Sequence, residues 1–537
     1  MPEYVELHCH SNYSFLGGAS HPEDMARRAA ELKMPALALT DHDGLYAAII
    51  FYQACKKAGV KPIIGAEITL ESGHHITLLA KNNVGYSNLS RLITQAHLSH
   101  GKGNSSIPLE ALSQYTDGLF CLSGCRNGEI ASLVLGNKTK QACEAAKNFI
   151  DIFGKDDFWI ELQNNFYPED KRLTHTLVTM AHSLGIGYVA TNNVQYAHEE
   201  GYRLHDVLTA IKNRSTLDEC QTLRLNSEFY LKSGAQMAAL FRDQPKAIYN
   251  TLLIAEQCDV DMDFSAYRFP DFPLPPGETT HSYLTKICRE RVQTRYDVIT
   301  SEVEHQINYE LSLIRKLDLC GYFLIVWDIM EYARGNNLPA QGRGSAANSI
   351  VAYILGITRV DPISNKLFVG RFINEEMACL PDIDIDISTN HREQIIQYVY
   401  QKYGQEQTAM VCTYVTFQAR NAIREVGKVL GLPAQILDRM ARSVSIYHAG
   451  EVHEDLQKLE EFRPHLTSHL WEEFTSLCRQ ISSFPRHVSI HVGGMLISSC
   501  PLTDIGPLEN ATMPGRVVCQ WDKDGVADAG LIKVDLL

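Results

Sequence analysis

The chain has 537 residues, too many for one domain at ~100–200 residues each, so two to four domains are expected. Hydrophobic residues make up 45% and charged residues 21%, which excludes a mainly disordered, collagen-like or coiled-coil chain. Lys+Arg 49 against Asp+Glu 63 gives a formal net charge of −14, which excludes a protein that is basic throughout but leaves room for a local basic groove.

The start, MPEYVELHCH, has no basic segment followed by an apolar one, so no signal peptide is expected. No stretch reaches the ~20 apolar residues of a membrane span. The 14 Cys are scattered without a CxxC pair. A reduced, cytoplasmic protein with no membrane partner is expected.

Over the first two hundred residues, short apolar runs alternate with amphipathic stretches. Strands are expected at Val5–His10, Ala36–Thr40, Pro62–Leu70, His75–Ala80, Leu119–Ser123, Phe158–Gln163 and Gly187–Thr191. Helices are expected at Pro22–Leu32, Ala47–Ala58, Leu89–Leu98, Lys140–Phe153 and Lys171–Leu184. Repeated βα order argues for a parallel sheet, open or closed into a barrel. Polar residues gather at the strand ends: His8 and His10, Asp41 and His42, Glu67, Cys125, Asn192 and Asn193. In a βα barrel such ends converge on one face. His8 and His10, two apart on a strand, point to the same side. Imidazole with carboxylate suits Zn²⁺ or Mn²⁺ and could lower the pKa of a bound water for phosphoester hydrolysis.

Around Tyr267–Pro276 the Pro-rich FPDFPLPPG is the best linker candidate. Helical sequence follows over His281–Asn336, then GRGSAANS at Gly342–Ser349 and the apolar run Ile350–Ile357. A strand is expected at Pro381–Ile387 and a mostly helical block from Arg392 to Ser483, before strand-like HVGGMLIS, VVCQWD and LIKVDLL. No internal repeat is present.

Four features in this part carry chemistry. In PDIDIDI, period-two alternation puts Asp382, Asp384 and Asp386 on one face. Like charges in line repel unless divalent cations relieve them, as in two-metal phosphoryl transfer; a solvated edge strand is the alternative. GRGSAANS, with Arg343, offers an anion cradle or merely a tight glycine turn. Lys533 and Asp535 share a strand face, which by itself is a surface pair. Arg420, Arg424 and Lys428, four apart, stack on one helix face, followed by Arg439 and Arg442. Glu425 and Asp438 are interleaved, so a solvated face is the alternative there.

HCHSNYSFLGGASHPEDMARRAAEL, LALTDHDGLYAA, KPIIGAEI, HITLLAKNNVGYSNLSRL, LSGC and VATNNVQYAHEE together resemble the PHP (polymerase and histidinol phosphatase) domain that heads bacterial DNA polymerase III alpha subunits of the DnaE type. The resemblance implies a metal site at His8, His10, His42, Glu67, His75 and Cys125. Gly17, Asn193 and Gln195 depart from the family pattern, standing for Asp, Asp and His, so one or two ions and weak or absent hydrolysis are expected. Asp41 and His97 are polar neighbours that could contribute to the site, Asp41 equally as a group that orients a ligand His.

GYFLIVWDIM, PAQGRGSAANSIVAYILGITRVDP, GRFINEE, LPDIDIDIS, PRHVSIHVGGMLIS and GLIKVDLL are similar, in that order, to the C-family polymerase palm. The resemblance implies Mg²⁺-binding catalytic aspartates at Asp382, Asp384 and Asp535, with Asp386 non-catalytic. It implies a triphosphate turn at Gly344 and Ser345 beside Arg343, phosphate contact by Lys533, and a duplex-gripping thumb bearing Arg420, Arg424 and Lys428. Details such as NYSFLGGASHPE and IKVDLL look more like the error-prone DnaE (ImuC-type) branch.

The implied fold class is α/β: an N-terminal PHP βα barrel, then a nucleotidyltransferase-like α+β palm with an inserted helical thumb. Expected boundaries are 1–262 for the PHP domain, 263–412 and 483–537 for the two parts of the palm, and 413–482 for the thumb. Primer–template DNA, deoxynucleoside triphosphates and other mutasome proteins are the implied partners. The family's fingers, sliding-clamp contact and OB fold follow the third aspartate, whereas this sequence stops at Leu537, so the chain alone is expected to be inactive. Two other classes stay open: a PHP metallophosphoesterase or 3′–5′ exonuclease, and a non-catalytic DNA-binding remnant.

Overall fold

A computed structural model describes residues 3–267, 272–374, 383–462 and 468–537. The chain divides into two compact units, Met1–Met262 with Tyr414–Ser489, and Asp263–Thr413 with Ile490–Leu537. The Pro-rich segment falls partly outside the described residues.

The first unit is built on six strands in the order β1 (Ala36–Leu39), β2 (Lys61–Thr69), β3 (His75–Ala80), β4 (Leu119–Leu122), β5 (Phe158–Leu162) and β6 (Gly187–Ala190). The expected parallel sheet is corrected at β3, which runs antiparallel to both β2 and β4. Only a tight turn separates β2 from β3, and a parallel return needs a crossover of a dozen or more residues. The helices Pro22–Glu31, Ala48–Ala58, Thr139–Phe153 and Asp170–Leu184 lie where the periodicity puts them. Asn83–Leu98 starts six residues before the apolar pattern because Asn82 caps it, accepting from the Gly85 N–H.

Val5–His10 is not a continuous strand. It makes single bridges, Glu6 with Leu37 and Cys9 with Val194. On one side Glu6 and Cys9 carbonyls accept from Ala38 and Thr40 at 2.9 and 2.8 Å; on the other, His10 N–H reaches Val194 at 2.8 Å. The segment thus lies between β1 and the chain after β6 and closes the sheet into a ring. Val5 and Leu7 enter an apolar core with Ala36, Ile63, Phe120 and Val189. Glu6, His8 and His10 alternate with them and are fully buried.

Helices Ala419–Val429, Ala434–Ser443 and His469–Gln480 also belong to the first unit. Their Ile423, Val426, Leu437, Met440, Phe474 and Leu477 share one core with Leu204, Val207 and Leu208 of helix Tyr202–Asn213. The expectation of a mainly helical block is corrected by β9 (Thr408–Thr416), whose TAMVCTYVT is rich in β-branched residues and buried over its first half.

β9 joins β7 (Ala340–Arg343), β8 (Asp384–Ile387), β10 (Pro485–Ile497), β11 (Leu508–Asn510), β12 (Val517–Cys519) and β13 (Lys533–Leu536) in a mixed sheet of order β11-β12-β9-β10-β13-β8-β7. Helices Thr280–Arg291, Ser301–Lys316 and Cys320–Gly335 fill the stretch read as helical. No helix among the described residues is long and apolar enough to cross a membrane.

Candidate functional site

Glu67, late in β2, is the centre of the first cluster. Its Oε2 lies 2.9 Å from His42 Nε2 and 3.3 Å from His10 Nε2; its Oε1 lies 3.5 Å from His8 Nε2, 3.4 Å from His75 Nδ1 and 3.5 Å from Cys125 Sγ. The other five residues singled out in the sequence thus surround the carboxylate of the sixth, Glu67. His8, His10 and Glu67 form one triad of donors within 4.8 Å of each other, and His42, Glu67 and His75 a second. His8 Nε2 and His10 Nε2 are 3.2 Å apart. Four ligands at ~2.0–2.1 Å from a tetrahedral Zn²⁺ stand ~3.3–3.4 Å from one another. The two imidazole nitrogens stand at about that edge, and Glu67 offers Oε1 to His8 and Oε2 to His10.

Each imidazole of the first triad is held from behind. His8 Nδ1 meets Glu161 Oε1 at 2.6 Å, and the same oxygen accepts from Thr191 Oγ1 and Gln163 Nε2. His10 Nδ1 meets Ser14 Oγ at 3.2 Å, and Ser14 donates to Asp41 at 2.6 Å. Asp41 therefore reaches His10 through Ser14 and is not among the residues around Glu67. His97 instead meets the Asp43 carbonyl at 2.6 Å. A carboxylate behind an imidazole fixes its tautomer and raises its basicity towards a metal.

The electrostatics follow from burial and pairing. Burial pushes His10 down to about 3, which keeps its imidazole neutral. Burial also works to lower His8, but Glu161 and Glu67 hold it well above the ordinary value. Burial would raise Glu67, yet His42 and His8 keep it well below the usual carboxylate range. Burial and then Glu67 push the Cys125 thiol up.

The three departures offer no carboxylate or imidazole. Gln195 Nε2 donates to Asn193 Oδ1 at 2.6 Å, so the two buried amides satisfy each other. A Cβ on Gly17 would lie 2.9 Å from the Ser14 carbonyl, so a longer side chain needs the turn to shift. Sequence reasoning missed Glu161, although a lone carboxylate in the apolar run FWIEL was a signal. It also missed Arg224, whose guanidinium stands 3.8 Å over the Phe229 ring.

The second cluster lies on the second unit's sheet. Along β8, Ile385 and Ile387 are buried, Asp384 is partly exposed and Asp386 exposed, the alternation expected of DIDI. Asp382 lies outside the described residues. Asp384 pairs in register with Asp535 on parallel β13 and with Arg343 on antiparallel β7, which puts the three side chains on one face. Arg343 Nε lies 3.7 Å from Asp384 and 3.2 Å from Asp386. Lys533 Nζ donates to Asp535 Oδ2 at 2.5 Å. Asp535 is only 5% exposed, and its Oδ1 has no hydrogen-bond partner among the described residues. An orphaned buried carboxylate oxygen beside a second carboxylate suits an oxygen-seeking divalent cation.

Gly344, at φ +67°, turns the chain from β7 into the 3₁₀ turn Gly344–Asn348 containing Ser345, and its Cβ position faces Asp384 Oδ2 at 3.7 Å. The anion cradle is narrower than expected. The first N–H groups of helix Ile350–Ile354 donate to buried Glu310 at 3.0 and 3.2 Å, and Ser349 Oγ does so at 2.7 Å. The helix opening is therefore already occupied, which leaves the Arg343–Ser345 turn.

On helix Ala419–Val429, Arg420 and Lys428 are exposed, while Arg424 pairs with Asp438 at 3.0 Å. Ala422, Ile423 and Val426 take the buried face.

Residues 282–537 match the family model described as the bacterial DNA polymerase III alpha NTPase domain, and residues 6–165 match the PHP domain. An error-prone DNA polymerase of Symbiobacterium thermophilum is 41% identical over 99% of this chain and 51% of its own length. An error-prone DNA polymerase of Mycolicibacterium paratuberculosis is 38% identical over 99% and 49%. A DNA polymerase III subunit alpha of Treponema pallidum is 34% identical over 99% and 47%. The chain spans about half the length of the curated relatives it matches.

Proposed function

We propose, for a chain that carries a PHP domain followed by a bacterial DNA polymerase III alpha NTPase domain, that it supplies the nucleotidyl-transfer site of an error-prone DNA polymerase. Its substrates are then a DNA primer–template and deoxynucleoside triphosphates, and its setting the cytoplasm. Mutasome proteins and a sliding clamp are the proposed partners, the clamp contacting sequence beyond this chain's match.

The observation that carries the reading is the in-register pair Asp384–Asp535, with Oδ1 of Asp535 lacking a hydrogen-bond partner among the described residues. Asp384 and Asp535, with Asp382, would hold Mg²⁺. Bound there, the cations supply a nucleophilic primer hydroxyl at neutral pH and steady the leaving oxygen. The chain's own residues do the positioning. The Gly344–Ser345 turn runs beside Asp384, and a triphosphate would lie against it. Arg343 is half-exposed and exchanges its Asp386 contact for a phosphate oxygen. Lys533 holds Oδ2 of Asp535, which leaves Oδ1 for the cation. Arg420 and Lys428 would take duplex phosphates.

A second reading attaches to the Glu67 cluster, favoured by its tetrahedral spacing. That cluster would hold Zn²⁺ or Mn²⁺ between His8, His10 and Glu67, with His42, His75 and Cys125 completing a second position. Because Gly17, Asn193 and Gln195 offer no carboxylate or imidazole, its hydrolytic activity is proposed to be weak or absent.

Primer extension tests the main reading. The chain is assayed alone and joined to the region that follows in its relatives. Mg²⁺-dependent, template-directed extension by the joined form, abolished by Asp384→Ala and by Asp535→Ala but not by Asp386→Ala, is expected. Extension that survives Asp384→Ala overturns the site.

A further inference from the structure

His491 lies on β10, three residues before Gly494, and Gly494 pairs in register with Asp535 on β13. The two strands approach closely here. A Cβ on Gly494 would lie 2.8 Å from His491 Nδ1 and 3.0 Å from Asp535 Oδ1. The missing side chain is what lets both groups gather around the same backbone. The Gly494 N–H donates to His491 Nδ1 at 2.7 Å, and the Gly493 N–H reaches the same atom at 3.4 Å.

A nitrogen that accepts a backbone N–H carries a lone pair, so the His491 proton is on Nε2. The 3.8 Å approach of Nδ1 to Asp535 Oδ1 is therefore not an ion pair but two acceptors standing side by side. Only one of them has a donor. Lys533 occupies Oδ2, Gly494 N–H is spent on His491, and Oδ1 has no hydrogen-bond partner among the described residues.

We propose that His491 is a positioning residue for the carboxylate site: by taking the Gly494 N–H, it denies that donor to Asp535 and keeps Oδ1 free to hold a divalent cation. This rests on the reading of Asp384 and Asp535 as cation ligands and adds a residue to it. Without an acceptor at position 491, the Gly494 N–H is left unpaired beside the nearest carboxylate oxygen. Asp535 then turns Oδ1 onto the amide, which satisfies a buried donor at the expense of the cation.

The test is Mn²⁺ binding to the purified full chain, followed by the electron paramagnetic resonance of the free ion. The population lost in Asp535→Asn defines this site and separates it from the Glu67 cluster. His491→Phe keeps a ring and removes the acceptor; it should weaken that population ~10–100-fold, as loss of a group supporting a metal ligand does. His491→Asn, whose Oδ1 can accept the same N–H, should bind as the wild type does. If His491→Phe fails to fold by circular dichroism, His491→Met carries the same comparison. Wild-type affinity in the Phe or Met variant, or equal weakening in the Asn variant, overturns the proposal. A wild-type chain with no Asp535-dependent population overturns instead the cation site on which it rests.

Discussion

Replacing Glu161 by Gln removes a charge from behind the Glu67 cluster with little disturbance of its geometry. Glu161 is buried, and its Oε1 receives His8 Nδ1, Thr191 Oγ1 and Gln163 Nε2 at 2.6, 2.5 and 2.7 Å. Its Oε2 has no hydrogen-bond partner among the described residues. Glutamine keeps the accepting oxygen and places its amide nitrogen at the vacant position, so all three contacts survive and only the charge is lost. Removing such a support costs ~10–100-fold in metal affinity, and the Gln variant belongs at the lower end, about 1.4 kcal/mol. Glu161→Ala also leaves His8 free to rotate and belongs near the upper end. It strands the buried Thr191 hydroxyl as well, and should lower the melting temperature. Calorimetric titration of Zn²⁺ into the metal-stripped chain at pH 8, where proton competition at His8 is least, reads both. The expected order of affinity is wild type, then Gln, then Ala. Equal affinity in all three, with binding lost in His10→Ala, would refute the claim that Glu161 acts through His8.

His205 is buried and held down at about 3, by burial and then by Arg224. The unfolded chain takes a proton there below pH ~6.5 while the folded chain does not, so stability is lost as pH falls from 6.5 towards 3, by about 2 kcal/mol at pH 5. His205→Gln should flatten the pH 7-to-5 difference in urea stability by that amount, and an unchanged difference would refute the assignment. Gly344→Ala places a side chain at φ +67°, a conformation costing ~1–2 kcal/mol outside glycine. Fluorescent nucleotide binding with Mg²⁺ should weaken by up to ~30-fold, and an unaltered affinity would remove the turn from the nucleotide site. Arg420→Ala and Lys428→Ala should each lower the salt slope of duplex binding by ~1, while Arg424→Ala, already paired with Asp438, should lower it less. Equal slopes for all variants would leave that helix face solvated.

The Glu67 cluster was legible because its ligands sit where apolar runs end, and strand alternation alone aims His8 and His10 to one side. The DIDI pattern was legible for the same reason: period two needs no tertiary information. What escaped was set by contacts distant in sequence. Glu310 closes the opening of helix Ile350–Ile354 from another helix, so the amides of GRGSAANS looked freer than they are. His491 gains its meaning only where β10 meets β13. β9 was hidden by helical sequence on either side of it. The direction of β3, by contrast, was readable from the shortness of its connection to β2.

The closure of the first unit's ring has a consequence for synthesis. Cys9 bridges Val194, so the segment carrying His8 and His10 has no partner on one side until residues near 194 have been made. At ~5–20 residues per second this leaves it waiting roughly 10–40 s on a ribosome. During that interval the backbone of YVELHCH bonds to water on that side, and its two imidazoles are not yet enclosed. Pairing of such high sequence separation is slow to form. The same few residues that present the ligands are therefore the last of the ring to be secured, and the nascent chain is most open to mispairing and to adventitious metal at the place where its chemistry will later reside.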